Sequence, residues 1–166
     1  RSGGVAVENN EVYATGVNTL VVLEAKSGAV IRKKEYDHQL KVMASPLLLE
    51  DIVVVPNTQV GVSAYHKQSL ERLWNFKTGE ALIYTASYTT PDQRKLVSTV
   101  ESTVQPYKEG LIFGASDGYI YFVDRQGQLL DKFYLGAPVL ADIKVENGEI
   151  YAADFAGNVY CLTYAR

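Results

Sequence analysis

The fold is decided by the segment GLIFGASDG at residues 110–118, followed by IYFVDRQGQLL at residues 120–130. Two runs rich in aromatic and β-branched residues flank an Asp-Gly pair, and this pattern is typical of a β-hairpin. The same order of strand, polar turn and strand occurs three more times, within residues 5–32, 45–74 and 148–163. Comparable positions are Glu11, Asp51, Gly110 and Glu149, so the period is about 40 residues, with one unit lengthened by about 20.

A period of about 40 residues, built from short β-rich runs, is the size of one four-stranded propeller blade. Helical repeats would place apolar residues three and four positions apart, and no such stripe is present. We therefore predict an all-β propeller region of four antiparallel blades. Its repeats are expected at about 3–40, 41–79, 102–137 and 138–166, with an inserted loop at 80–101.

The order of strands within each blade can also be predicted. The inner strands are expected at Val5 to Val7, Pro46 to Leu49, Val104 to Tyr107 and Asp142 to Val145. The fourth blade is expected to lack its outer strand, which would leave a row of backbone donors and acceptors unpaired. Because propeller blades normally pack on two neighbours, we expect a fragment of a larger propeller, completed by further blades or by a second copy.

The overall composition excludes several classes of protein. The 166 residues are 47% hydrophobic and 21% charged, with a net charge of −3, which is the balance of a globular protein with a core. The sequence has no cluster of basic residues of the kind that indicates a nucleic-acid-binding surface. The apolar runs are far shorter than the roughly 18 to 20 residues of a membrane-spanning helix. The single Cys161, at an inward strand position, is expected to be a small buried hydrophobe.

The second unit resembles the PQQ-type repeat, the tryptophan-docking motif of quinoprotein propellers, whose pattern is Ala-x-Asp-x-x-Thr-Gly-x-x-x-Trp. Ala64, Ser69 and Trp74 match this pattern, while His66 replaces the Asp and Leu70 replaces the Gly. The resemblance implies structural roles for Ala64, His66, Ser69 and Trp74: close blade packing, hydrogen bonding within the turn, and coverage of a neighbouring blade by the indole.

The other units carry weaker copies of the motif. The first keeps Glu24, Ser27 and Gly28 but has Arg32 at the Trp position, and the third keeps Asp124 and Gly127 with Asp131 near that position. We expect weaker or differently packed blade contacts at these two places. The resemblance spans nearly the whole chain.

Quinoprotein dehydrogenases of this fold have a full ring, a calcium ion with carboxylate and amide ligands, a catalytic Asp and commonly two adjacent cysteines. This chain has half the blades and one Cys, so the resemblance indicates fold ancestry without a cofactor or catalytic residues. His38 and His66 do not form a zinc pattern; His38 is expected in a loop. Nucleophile-elbow, P-loop, dinucleotide and metallophosphoesterase motifs are absent.

The insertion is the most informative segment for function. It joins an outer strand to the next inner strand, a connection that lies on the usual ligand face of propellers. Either it is a solvated loop with a Pro-Asp turn, or it contacts a partner. The partner-binding candidates are Tyr84, Tyr88, Asp92, Arg94 and Lys95, with Asn57, Asp117 and Asn158 in turns on the same face.

These observations predict a non-catalytic scaffold that binds a protein or carbohydrate-like partner on the insertion face. The alternative is an accessory region of a larger enzyme, either an appended metallophosphoesterase-type hydrolase or a divergent quinoprotein dehydrogenase. A third interpretation is a structural half-ring that pairs with another copy. The resemblance favours the bacterial periplasm or cell envelope.

Overall fold

The computed structural model describes residues 4–40, 44–83 and 98–165. It contains four antiparallel sheets whose strands follow one another in chain order, which confirms the predicted all-β propeller fold. Blade 1 comprises β1 (Val5–Glu8), β2 (Glu11–Thr15), β3 (Thr19–Glu24) and β4 (Val30–Glu35). Blade 2 comprises β5 (Leu47–Leu48), β6 (Ile52–Asn57), β7 (Gly61–His66) and β8 (Arg72–Phe76).

Blade 3 comprises β9 (Gln105–Tyr107), β10 (Gly110–Gly114), β11 (Tyr119–Val123) and β12 (Leu129–Tyr134). Blade 4 has only three strands among the described residues, β13 (Lys144–Glu146), β14 (Glu149–Ala153) and β15 (Val159–Thr163), as expected from the sequence. The pairing shows that Ile52 is the residue equivalent to Glu11, since each pairs with the residue that begins the third turn of its blade. The position predicted from the sequence pattern, Asp51, was therefore one residue too early.

The core lies in the seams between consecutive blades. One cluster joins blades 1 and 2, a second joins blades 2 and 3, and a third joins blades 3 and 4. Alternate residues of β6 serve different seams, because Val53 and Val55 face the first cluster while Val54 faces the second. This two-sided burial explains why β6 and β10 are continuous apolar runs rather than alternating ones.

The outer faces of the end blades remain uncovered in the described residues. Val5 and Val7 of β1 are 54% and 63% exposed, and Val159 of β15 is 79% exposed. Cys161 on β15 is exposed as well, so the expectation of a buried thiol was wrong. Its side chain faces the open side of blade 4, which no sheet formed by the described residues covers.

Candidate functional site

Most of the predicted partner-binding residues lie outside the described part of the chain. Tyr84, Tyr88, Asp92, Arg94 and Lys95 belong to residues 84–97, of which the structure gives no placement. The structure does describe the two segments that lead into and out of this stretch, residues 78–83 and 98–100. We call these two segments the insertion stem.

The entering half of the stem is held by blade 3. The Gly79 amide donates to Oδ2 of Asp117 at 2.8 Å, and the Leu82 amide donates to the carbonyl of Ser116 at 2.9 Å. The two halves are also bonded to each other, because the Thr78 amide donates to Oγ of Ser98 at 2.6 Å. Residues 83 and 98 are therefore the ends of a segment that departs from and returns to the same anchored region.

The leaving half of the stem is held by blade 2. Ser98 forms a parallel bridge with Val60, and its amide donates to the carbonyl of Gln59 at 3.0 Å. The Val100 amide donates to the carbonyl of Asn57 at 2.8 Å. These contacts place the stem against the β6–β7 turn of blade 2 and the β10–β11 turn of blade 3.

The approach of stem and blade depends on Gly61. This residue has a φ of +89°, and a Cβ built on it would lie 2.1 Å from the carbonyl oxygen of Phe76 and 2.8 Å from Oγ of Ser98. Only glycine fits both the backbone angle and the available space. The glycine that starts β7 is therefore part of the structure that holds the insertion.

Asn57 is fully buried beneath the stem. Its side-chain amide donates to the carbonyl of Gln39, and its Oδ1 accepts from the amides of Gln59 at 2.6 Å and Val60 at 3.1 Å. The side chain thus fixes the β6–β7 turn and the preceding blade connection. A partner could reach it only if the stem moved, so its role in partner binding stays a prediction.

Asp117 is also buried, with 6% of its surface exposed. Its Oδ2 accepts from the Tyr121 hydroxyl at 2.5 Å as well as from Gly79, and its Oδ1 accepts from the Tyr119 amide at 3.1 Å. Burial raises the pKa of Tyr121 above its usual range, and the hydrogen bond to the Asp117 carboxylate raises it further. Tyr121 therefore stays protonated and acts as a hydrogen-bond donor. A direct role for Asp117 in partner binding likewise stays a prediction.

Asn158 is exposed at the β14–β15 turn. Its amide nitrogen lies 3.2 and 3.0 Å from the two carboxylate oxygens of Asp154, which also accepts from the Tyr160 hydroxyl at 2.9 Å. The hydrogen bonds from Asn158 lower the pKa of Asp154. Of the three predicted turn residues, Asn158 alone presents an accessible side chain.

Trp74 reaches from β8 to the turn between β11 and β12 of the next blade. Its indole N–H donates to the carbonyl of Arg125 at 2.9 Å. Its ring lies over Gly127, where an added Cβ would be 2.5 Å from Cδ2 of Trp74 and where φ is +80°. The indole therefore fills the outer part of the seam between blades 2 and 3.

Arg32 makes the corresponding contact between blades 1 and 2. Its Nε donates to the carbonyl of Lys67 at 3.2 Å, and its two terminal nitrogens donate to the carboxylate of Glu11 at 3.0 and 2.7 Å. This bidentate hydrogen bonding lowers the pKa of Glu11. The guanidinium thus reaches the same carbonyl position that the indole reaches one blade later.

The remaining motif residues lie within blade 2. Ala64 is fully buried opposite Trp74, and Nδ1 of His66 accepts from the Ser69 amide at 3.3 Å. Leu70, at the glycine position of the motif, has a φ of +57°. Leu70 belongs to the core cluster between blades 1 and 2 and is only 2% exposed. The packing of its side chain therefore compensates for a backbone angle that costs a non-glycine residue about 1 kcal/mol.

A polar cluster around His38 was not anticipated from the sequence beyond its place in a loop. Nε2 of His38 lies 2.7 Å from the buried Tyr65 hydroxyl, and its Nδ1 lies 2.9 Å from Asp37 and 3.4 Å from Arg72. Burial raises the pKa of Tyr65 to about 12. The adjacency of Asp37 and His38 was visible in the sequence, but their partners come from another blade, so no local signal could reveal the cluster.

The described residues offer no assembled metal site. No group of three or more His, Cys, Asp or Glu side chains converges within residues 4–40, 44–83 and 98–165. The same part of the chain contains no helix that is long and apolar enough to span a membrane.

Comparison with solved structures shows the same fold in three proteins. BamB from Moraxella catarrhalis superposes with a TM-score of 0.70 at 18% identity, over 98% of this chain and 43% of that one. The computationally designed Ika4 protein gives 0.72 at 16% identity, over 98% and 91% of the two chains. The designed Ika8 protein gives 0.72 at 16%, over 98% and 46%. The chain thus spans less than half the length of the Moraxella protein.

No curated protein matches the chain in sequence. The family model described as outer membrane protein assembly factor BamB, in contrast, matches residues 1–166, the full chain. This match agrees with the docking motif of blade 2 and with the propeller fold. The chain therefore belongs to the PQQ-type repeat family of the outer membrane protein assembly factor BamB.

Proposed function

We propose that this chain is a non-catalytic propeller module that binds a protein partner on the face that carries the insertion. The observation behind the proposal is the insertion stem, whose two halves are bonded to each other and to turns of two blades. A segment with anchored ends can present side chains at a defined place on a rigid scaffold. The inserted Tyr84, Tyr88 and Arg94 are of the residue types enriched at binding surfaces.

The residues that lie beneath the insertion stem, which we call its base, are suited to this role. The Asn57 side chain accepts from two amides of the β6–β7 turn, and the Asp117 carboxylate accepts from the Gly79 amide of the stem, so these backbone groups are paired. The aromatic side chains of Phe76, Phe113 and Tyr121 pack below with centroid distances of 5.3 to 5.9 Å. A preorganised base lowers the entropic cost of ordering a binding segment.

The class of partner is inferred from the family. Its description names an assembly factor for outer membrane proteins, which supports a protein partner and a place in the bacterial envelope. A carbohydrate-like partner, the other class considered from the sequence, has no support from the described residues.

The proposal is tested by crosslinking in bacterial envelope extract. A photoreactive amino acid replaces Tyr88 in one variant and the exposed Lys26, in a turn of blade 1, in another. We expect a discrete protein adduct only from position 88. The adduct should be lost on adding Tyr84→Ala and Arg94→Ala, but not on adding Lys33→Ala and Lys144→Ala, which also lie on the surface. An adduct equally strong from both positions would refute a specific partner on the insertion face.

We also propose that the open faces of blades 1 and 4 are covered in the working protein, by further blades or by a second copy. Val5, Val7 and Val159 expose a large part of their apolar surface on these faces. Cys161 lies on the face of blade 4 and reports on coverage. We expect its thiol to react rapidly with maleimide in an isolated monomer of residues 1–166, and at least about tenfold more slowly in a dimer or a longer chain. Equal rates would contradict coverage of blade 4.

A further inference from the structure

The cluster around His38 is joined to the β6–β7 turn by three side chains of blade 2. Nε2 of His38 lies 2.7 Å from the Tyr65 hydroxyl, and this hydroxyl also hydrogen-bonds with Ser63, two residues earlier on β7. Oγ of Ser63 donates to Oδ1 of Asn75 at 2.6 Å, and the Asn75 amide donates to the carbonyl of Val60 at 2.9 Å. We call Tyr65, Ser63 and Asn75 the blade 2 relay.

The relay ends where blade 2 meets the insertion stem. Val60 forms the parallel bridge with Ser98, and Oγ of Ser98 accepts from the Thr78 amide at 2.6 Å. Ser63 is fully buried and Ser98 is 5% exposed, so water competes little for these hydrogen bonds. The relay therefore connects a histidine with the point where the two halves of the stem are bonded to each other.

The direction of the hydrogen bonds at His38 follows from its neighbours. Nδ1 lies 2.9 Å from the Asp37 carboxylate, which only accepts hydrogen bonds, so Nδ1 carries a proton. In the neutral ring, Nε2 must then accept from the Tyr65 hydroxyl. The amide of Asn75 is oriented in the same way, because its nitrogen faces the Val60 carbonyl and its oxygen therefore faces Ser63.

Titratable and charged groups surround the imidazole. They are Asp37, Tyr36, Tyr65, Arg72 and, beside Tyr36, Glu71 in its ion pair with Lys34. The Asp37 carboxylate favours the charged ring, whereas the Arg72 guanidinium, 3.4 Å from Nδ1, opposes it. Burial raises the pKa of Tyr65 to about 12 and that of Tyr36 above its usual range, and the hydrogen bond from His38 lowers the pKa of Asp37. Histidine changes its charge between about pH 5 and pH 8, a range in which these tyrosines stay protonated and Asp37 stays ionised.

Protonation of His38 reverses one hydrogen bond and creates another. The neutral ring accepts from Tyr65 while Ser63 donates to Asn75, so the two hydroxyl hydrogens point away from each other. The charged ring donates through Nε2, and the buried Tyr65 hydroxyl must then turn to another acceptor, which Oγ of Ser63 offers. All donors of the relay then point from the imidazolium towards Val60, and a charged donor strengthens the bonds of such a series.

We propose that His38 is a pH sensor for the insertion stem, because its protonation strengthens the hydrogen bonds that run through the blade 2 relay to the stem. The proton comes from solvent, to which 11% of the His38 side chain is exposed, and no other group gains or loses a proton. The stem is therefore held more firmly as the pH falls. This coupling concerns described residues only, and its effect on partner binding rests on the function proposed above.

NMR titration of the 166-residue chain from pH 8 to pH 5 tests the coupling. The ring signals of His38 report its protonation, and the amide signals of Thr78 and Ser98 report the state of the stem. We expect the stem signals to shift with the same midpoint as the His38 ring. Hydrogen exchange at the Ser98 amide, corrected for its intrinsic dependence on pH, should be about two- to fivefold slower when His38 is charged, as suits a gain of about one net hydrogen bond.

Three variants separate the sensor from the relay. His38→Gln should abolish the pH response of the stem. Tyr65→Phe keeps the ring and removes the hydroxyl, so His38 should still titrate while the Thr78 and Ser98 signals stay constant. His66→Gln is the matched control, because His66 is the other of the two histidines and lies at the end of β7 that is remote from the stem. This control should leave the response unchanged.

Stem signals that stay constant between pH 8 and pH 5 in the wild type, or that respond fully in Y65F, would overturn the proposal. Should Y65F not fold, Ser63→Ala takes its place, since it removes the next hydroxyl of the relay. A full response in S63A would likewise overturn the proposal. The titration needs no partner, so a missing crosslink at position 88 does not affect it, and a constant stem does not affect the crosslinking result.

Discussion

Replacing Trp74 by alanine should lower the free energy of unfolding of the protein, because this side chain links two blades. Truncating a fully buried tryptophan to alanine costs about 3 to 5 kcal/mol. Trp74 is only partly buried, so we expect the lower end of this range, about 3 kcal/mol, including the lost bond to the Arg125 carbonyl. Trp74→Phe keeps most of the ring and loses the N–H, so its cost should be about 1 kcal/mol.

The assay is urea unfolding followed by far-UV circular dichroism, because Trp74 is the only tryptophan and its removal abolishes tryptophan fluorescence. Leu73→Ala is the matched control. Leu73 is the neighbouring residue on β8 and is 52% exposed, so its truncation should change stability by no more than about 0.5 kcal/mol. If W74A lowered the free energy of unfolding by less than about 1 kcal/mol, the docking role inferred from the contacts would be refuted.

A double-mutant cycle with Gly127 tests the contact directly. Gly127→Ala introduces a Cβ that would lie 2.5 Å from the Trp74 ring, at a residue whose φ is +80°. In the W74A background the collision is relieved and only the backbone cost of about 1 kcal/mol remains. The two substitutions together should therefore cost less than the sum of their separate costs, by about 1 to 2 kcal/mol. Strict additivity would show that the ring does not lie on Gly127 in solution.

Three further outcomes follow from the turns. Hydrogen bonds from Ser27 and Asn10 lower the pKa of Glu24 to about 2. The carboxylate therefore contributes stability above its unfolded pKa of about 4.5, and this contribution is lost as the pH falls towards 2. The Tm of Glu24→Gln should accordingly fall less between pH 5 and pH 2 than that of the wild type. Asp117→Ala removes the shorter of the two hydrogen bonds of the Gly79 amide, leaving the 3.4 Å contact with the Tyr121 hydroxyl, and it also removes the acceptor of that hydroxyl. The substitution should cost about 2 kcal/mol in urea unfolding and accelerate hydrogen exchange at Gly79 but not at the Gly148 amide of blade 4. Lys108 has a φ of +50°, as Asn147 does at the same turn position of blade 4. Lys108→Asn relieves this backbone angle but removes the contact of Nζ with the Tyr164 ring at 4.9 Å, so the stability to thermal unfolding should change by less than about 0.5 kcal/mol.

The blades could be predicted from the sequence because both of their physical signals are local. Runs such as Ile52 to Val55 are apolar at every position since both faces of the strand are buried. Turn residues with positive φ, such as Gly118 and Gly148, mark where the chain reverses. The exposed Cys161 shows the limit of this reasoning, because a strand position indicates which face a residue lies on but not whether another sheet covers that face.

The contacts between blades were predicted less completely. Counting along the chain could not align Asp131 with Trp74, because a shorter turn precedes the bulge and strand pairing restores the register. Nor could it show that Arg32 would reach the same carbonyl position as an indole, since that contact depends on the geometry of the neighbouring turn. Asp117 lies in a turn, as the sequence indicated, whereas Asn57 is the last residue of β6, beside the predicted turn. The burial of both side chains beneath the insertion stem could not be predicted from the sequence.

The anchored stem also bears on how such a molecule can diversify. With residues 78–83 and 98–100 bonded to two blades, the segment between them has its end-to-end distance set by the scaffold rather than by its own sequence. Lengthening a loop between two fixed ends costs only about 0.6 kcal/mol for each doubling of its length. New peptides, or even an inserted domain, can therefore be exchanged at this point in the laboratory or during evolution with little penalty to the blades.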